Sequence, residues 1–244
     1  LFRSGFKNIN DLENIDWALQ FKPEIIFAVG FSQLLDNKWF SLTPYGCVGF
    51  HPTPLPKGRG RAPISWLILE QEQGSATFFL MGEGADDGPI FVQEPFDIES
   101  EDDARIVYEK LKKAIERALD FWLPNLKKNI WEPIPQDEAK ASWYAKRSIS
   151  DGKINWNDNS LNIDRLIKAT SNPHPGAYTY FKDKKVIIWK SKLEFDIPIK
   201  GVVGRVLLND KHKGSLIQCG EGLIWVSGVE VNGDYIELKV GDKL

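Results

Sequence analysis

Two stretches, 35 positions apart, carry the side chains best suited to acid–base chemistry. The apolar run Cys47-Val48-Gly49-Phe50 ends on His51 and is broken by Pro52, Pro54 and Pro56. A second apolar run, Thr77 to Met81, leads into a glycine-rich acidic turn holding Asp86 and Asp87. Imidazole titrates near neutrality, and a neighbouring carboxylate orients the ring and stabilises its cation. His51 with either aspartate would therefore make a general acid–base pair. The bland reading is a structural histidine after a strand and two turn-forming aspartates. His174, set between Pro173 and Pro175, reads as a loop residue, and His212 sits in a lysine-rich turn. Scattered histidines without ligand spacing make a metal site unexpected. Lys57, Arg59 and Arg61 form a short basic run beyond His51, and a solvated loop is enough to explain them.

These residues need a scaffold, and the pattern around them is an alternation of helices and strands. The stretch 10–22 has the apolar spacing of a short helix, and 24–29 is a near-continuous apolar run of the kind found in buried parallel strands. A helix beginning near Asp36, the strand ending at His51, and a helix over 62–72 with Pro63 in its first turn follow. The runs 77–81 and 90–95 flank the acidic turn as strands. A long helix capped by Ser100 then shows 3.6-residue periodicity as far as Pro124, which marks its break or end. Such alternation predicts a Rossmann-like, mostly parallel sheet with ligands at the C-terminal strand tips, where His51 and the acidic turn would meet as neighbours. After a polar, proline-containing stretch, a helix over 159–170 precedes several short strands separated by glycine, aspartate and asparagine turns. That second pattern predicts a small β-barrel or sandwich. The expected domains are 1–130, a linker over 131–153, and 154–244.

The 244 residues, 42% hydrophobic and 27% charged, suit a globular protein with one large or two modest domains. A net charge of −3 provides no global basic field for nucleic acid. No apolar run is long enough to span a bilayer, and no signal peptide opens the chain. Cys47 and Cys219, each within a strand pattern, are read as buried free thiols in a reducing, cytoplasmic setting. Met81 is the only methionine, so Leu1 is not an encoded start, and the chain is expected to be N-terminally incomplete.

At His51, Leu55-Pro56 and Asp86-Asp87-Gly88-Pro89-Ile90, the sequence resembles the formyltransferases that use 10-formyltetrahydrofolate. Their fingerprint is Asn-x-His, a Leu-Pro turn, and a later Asp-x-Gly-x-Ile. Residues 24–35 are similar to the strand and loop before that family's active site. Ile154-Asn155-Trp156 and Asn172-Pro173-His174-Pro175-Gly176-Ala177 are similar to the entry of its C-terminal open β-barrel, an OB-like domain. Within the family, residues 57–66 look closer to enzymes that formylate amino sugars on nucleotide carriers than to methionyl-tRNA formyltransferase. Two departures stand out. Gly49 occupies the position of the family's asparagine, and the family's first βαβ unit has no counterpart before Leu1.

The resemblance implies transfer of a formyl group from the co-substrate 10-formyltetrahydrofolate to the amine of a nucleotide-linked deoxyamino sugar, with no metal. It selects Asp86 over Asp87 as the partner that orients His51 and raises its pKa toward neutrality. His51 would then donate to the developing oxyanion or carry the proton of the attacking amine. Phe31, Ser32, Gln33, Leu34, Asp87 and Gly88 would contact the folate, and Lys57, Arg59 and Arg61 the sugar-nucleotide phosphates. Gly49 supplies no side-chain donor, a loss worth about a hundredfold in rate elsewhere. Methionyl-tRNA formylation is the first alternative, kept open by the lysines of 182–200 although the net charge makes tRNA the less favoured partner. A catalytically impaired, ligand-binding relative is the second. A homodimer is compatible with either.

Overall fold

The computed structural model describes residues 7–31 and 33–244. In chain order the elements are α1 (Leu12–Leu19), β1 (Ile26–Ala28), α2 (Asn37–Phe40), β2 (Cys47–His51), β3 (Arg59–Gly60), α3 (Pro63–Glu70), β4 (Gly74–Leu80), β5 (Ile90–Phe96), α4 (Ala104–Lys127) and β6 (Trp143–Tyr144). There follow α5 (Ser160–Thr170), β7 (Ala177–Phe181), β8 (Lys184–Glu194), β9 (Val206–Asp210), β10 (Gly214–Gln218), β11 (Leu223–Val231) and β12 (Asp234–Tyr235). They fall into two compact units. The first comprises Leu1–Pro63, Gln73–Asp97 and Lys110–Ala145, the second Ile64–Glu72, Ile98–Glu109 and Lys146–Leu244.

The first unit is built on a sheet ordered β1-β2-β4-β5. Its class is α/β as expected, but among these pairings only β1 with β2 is parallel, and β4 is antiparallel to both of its neighbours. The parallel Rossmann character is thus confined to one edge. On one side of the sheet, Ile15 and Ala18 of α1 pack with Leu35, Trp39 and Cys47. Asp36 caps α2, its carboxylate accepting from the Lys38 amide at 3.0 Å. An aromatic group holds β2, β4, β5 and α4 together: Phe50 meets Phe78 at 5.1 Å, Phe78 stacks on Trp122 at 5.9 Å, and Phe91 on Trp122 at 4.9 Å between ring centroids.

Helix α4 starts later than Ser100 suggests. Asp103 caps it by accepting from the Ile106 amide at 2.9 Å, and the helix continues through Pro124 to Lys127. The stretch 131–145, expected to be linker, lies in the first unit, where β6 pairs in parallel with β3.

The second unit carries an antiparallel sheet ordered β7-β8-β11-β10-β9, with β12 added to β11. Asn159 caps α5 through the Asn162 amide at 2.8 Å. Ile163 and Ile167 of that helix bury against Val186, Ile188, Ile217, Ile224 and Val226 of the sheet. The sheet is open: no pairing of β7 with β9 closes it into a barrel among the described residues. Both cysteines are free and buried. Among the described residues no helix is long and apolar enough to cross a membrane.

Candidate active site

His51 is the last residue of β2, and its side chain is 7% exposed. Alternation along the strand turns His51 and Gly49 to one face while Phe50 joins the aromatic group on the other. Nε2 of His51 lies 2.8 Å from the carbonyl oxygen of Gly58. A carbonyl only accepts, so Nε2 holds the proton of the neutral ring and Nδ1 is its basic nitrogen. Nδ1 is 3.5 Å from Oδ2 of Asp86. A proton taken up at Nδ1 therefore arrives next to a carboxylate.

The route by which Asp86 reaches His51 differs from the expected pair of neighbouring strand tips. Because β4 is antiparallel to β2, its last residue Leu80 lies opposite Val48, not His51. The offset from Val48 to His51 is about 10 Å along the strand. The loop 81–89 turns back over that distance and delivers Asp86 in the left-handed region, φ 56°, which aspartate tolerates better than most residues. The Gly60 amide fixes the carboxylate by donating to Oδ2 at 2.9 Å. Gly60 itself has φ 105°, and a Cβ there would sit 2.5 Å from the Tyr144 carbonyl oxygen.

Burial dominates the electrostatics of His51. It holds the imidazole below its ordinary value of 6.5, against the opposing pull of the Asp86 charge and the Gly58 carbonyl. The expected upward shift is thus reversed in sign, and the resting ring is neutral at pH 7, suited to accepting a proton.

The other candidate residues divide into those that face outward and those already engaged. Lys57 and Arg61 are exposed. Arg59 is not available to a phosphate: its side chain is 2% exposed and its guanidinium makes a fork with Glu138, Nη1 to Oε2 at 2.9 Å and Nη2 to Oε1 at 2.6 Å. Nε and Nη2 also donate to Oε1 of Gln136 at 3.2 and 2.8 Å. Of the three cations only Arg59 turns inward, which composition alone hides.

Phe31 and Leu34 are exposed apolar residues following β1, whose Ala28 is paired with Gly49. Gln33 is engaged by the N-terminal segment, accepting from the Ile9 amide at 2.9 Å and donating to the Lys7 carbonyl at 3.2 Å. Ser32 lies outside the described residues. Asp87 is exposed, and Gly88 is packed so closely that a Cβ would overlap the Leu80 carbonyl oxygen.

Gly49 faces Phe79 directly across the β2–β4 pair. A Cβ at Gly49 would lie 2.6 Å from Phe79 Cζ and 2.9 Å from Met81 Cγ. The space a side chain would need is filled by two apolar neighbours.

Gly58, Gly60 and Gln136 touch the pair or its loop but were not singled out from sequence. The first two act through backbone atoms. Gln136 lies in a polar stretch with no periodicity to mark it.

Comparison with known proteins places this geometry in context. The family model described as formyl transferase matches residues 5–120, and that described as formyl transferase, C-terminal domain, matches residues 147–236. The bifunctional polymyxin resistance protein ArnA of Wigglesworthia glossinidia brevipalpis is 37% identical over 191 residues, which is 78% of this chain but 29% of that protein. The chain therefore spans under a third of that relative's length.

Among solved structures, HypX from Aquifex aeolicus in complex with tetrahydrofolic acid aligns with a TM-score of 0.74 at 20% identity, over 89% of this chain and 37% of that one. Methionyl-tRNA formyltransferase from Clostridium thermocellum aligns with a TM-score of 0.65 at 18% identity, over 94% and 86% of the two chains. The N-formyltransferase from Helicobacter canadensis, in complex with folinic acid and dTDP-3-aminofucose, aligns with a TM-score of 0.64 at 20% identity, over 84% and 73%. At these identities the structures show a common fold.

Proposed function

This chain belongs to the formyl transferase family, and we propose that it transfers a formyl group from 10-formyltetrahydrofolate to the amino group of a nucleotide-linked deoxyamino sugar, with His51 and Asp86 as its catalytic pair. The observation that carries this reading is the buried imidazole held between a carbonyl at Nε2 and the Asp86 carboxylate beside Nδ1. Formyl transfer needs a base at the amine as it attacks. The amine nitrogen bonds to the formyl carbon, and Nδ1 of His51 takes the N–H proton. The imidazolium formed is stabilised by Asp86. The bond from the formyl carbon to N10 of the folate then breaks, and the proton passes to N10, leaving an amide and tetrahydrofolate. No net proton or electron is gained or lost.

Exposed Phe31 and Leu34 offer apolar surface for the pteridine, and Asp87 and Gly88 lie on the loop that carries Asp86. Exposed Lys57 and Arg61 are the cations suited to the sugar-nucleotide phosphates. Support for a nucleotide sugar comes from the Helicobacter neighbour, whose complex holds such a compound, and from the chain's net charge of −3, which disfavours tRNA.

The test is a competition among acceptors. The protein is incubated with 10-formyltetrahydrofolate and either a panel of amino-sugar nucleotides or charged initiator tRNA, and folate release is followed. Turnover on at least one sugar nucleotide is expected. Formylation of the tRNA with none of the sugars would overturn the assignment.

A further inference from the structure

The segment 134–144 contacts both loops that present the candidate pair. Ile134 and Ile90 exchange both backbone hydrogen bonds, at 2.7 and 2.8 Å, at the end of the acidic loop. Ser142 donates its amide to the Pro56 carbonyl at 3.2 Å, accepts from the Arg59 amide at 2.9 Å, and takes the Gly58 amide on its hydroxyl at 2.9 Å. The Tyr144 carbonyl accepts from the Arg61 amide at 3.0 Å. Between these anchors sits Gln136. Its Nε2 donates to the carbonyls of Asp86 at 2.8 Å and Gly88 at 2.7 Å, while its Oε1 receives two donors of Arg59. A primary amide has two N–H groups and two lone pairs, so all four hydrogen-bonding positions of Gln136 are used.

We propose that 134–144 is a strap that positions the His51–Asp86 pair, with Gln136 as the residue that sets Asp86. This rests on the reading of that pair as catalytic. Residues 58–60 contact both partners, through the Gly58 carbonyl to His51 and the Gly60 amide to Asp86. Arg59, between them, reaches Gln136, which in turn holds the carbonyl of Asp86 itself. The left-handed backbone of Asp86 is sparsely populated for a residue with a Cβ, and two hydrogen bonds on carbonyls 86 and 88 hold the turn there. A glutamine is required because only an amide donates to carbonyls at one end while accepting from a guanidinium at the other. Glutamate keeps the acceptor and loses the donor.

The experiment is a double-mutant cycle on formyl transfer with Q136A, Q136E and D86N, each alone and the Gln136 variants also combined with D86N. Melting curves and circular dichroism check folding, and kcat and KM are measured separately. Misplacing a reacting group by about 1 Å costs on the order of a hundredfold, so Q136A and Q136E are each expected to lower kcat about 10- to 100-fold with little change in KM. In the D86N background both are expected to be nearly silent, because Gln136 acts through Asp86. Q136E retains the Arg59 contact and so reports on the donor end even if Q136A folds poorly.

A full-activity Q136E, or an equal loss from Gln136 substitution with and without Asp86, would overturn the strap's role while leaving the pair intact. Undiminished turnover in D86N alone would instead overturn the catalytic reading on which the strap depends. As an activity-independent readout, the His51 ring resonances are expected to shift in Q136E as in D86N. Unshifted resonances in Q136E beside shifted ones in D86N would count against the proposal.

Discussion

At the scale of single residues, the chemistry turns on a histidine that burial keeps neutral and a carboxylate that favours its protonated state. General acid–base groups contribute about 10²- to 10⁴-fold, so His51→Ala and Asp86→Asn are each expected to reduce kcat within that range in a folate-release assay. Because the His51 pKa is depressed below 6.5, activity is expected to fall only on the acid side of that value and to be level from there through neutrality. The lack of a side-chain donor at Gly49 alone would suggest that an asparagine there leaves activity intact or raised. Its surroundings imply the opposite outcome. With Phe79 and Met81 within 3 Å of a Cβ, Gly49→Asn overpacks the sheet, and we expect about 1–3 kcal/mol of lost stability in denaturant melts. An unchanged stability would mean that Phe79 swings away freely.

At the scale of elements, strands and helices were legible wherever burial imposes a period. The run ending at His51, the capped α2 and α5, and the stripe of α4 all lie close to where apolar spacing put them. What spacing could not convey was direction. An apolar run looks the same whether its neighbour is parallel or antiparallel, so β4 was read as a neighbouring tip when it runs the other way and its loop folds back. Nor could it reveal the strap, since 134–144 is held by backbone hydrogen bonds and polar side chains without periodicity. The close approach of Gly60 to Tyr144 gives the strap its own test. Gly60→Ala puts a methyl group 2.5 Å from the Tyr144 carbonyl oxygen at φ 105°, so β3 and β6 must separate. We expect a loss of about 1–3 kcal/mol together with reduced kcat, because the Gly60 amide that fixes Asp86 moves with the strand. Gly60→Ala with wild-type kcat would show that this amide is dispensable.

At the scale of the whole molecule, composition announced a globular chain, the alternation of helix and strand patterns its α/β class, and the motifs its family, while the division into units was less visible. Segments 64–72 and 98–109 join the C-terminal half rather than their sequence neighbours, which no local pattern signals. Titration also acts at this scale. His51 and His174 both have pKa values lowered by burial, His174 further by the charge of Arg147. Below 6.5 the unfolded chain therefore binds protons that the native protein refuses, and stability is expected to fall as pH drops through that window. His51→Gln is expected to flatten part of that loss in pH-dependent melts, and an unchanged slope would mean that the ring titrates normally in the folded state. The central claim, that the His51–Asp86 pair performs formyl transfer, is tested most directly by single-turnover release of tetrahydrofolate from 10-formyltetrahydrofolate with wild-type, His51→Ala and Asp86→Asn proteins in parallel on an accepted amino-sugar nucleotide. Under this claim the wild type releases rapidly and both variants release at least about a hundredfold more slowly. Wild-type rates in both variants would contradict it.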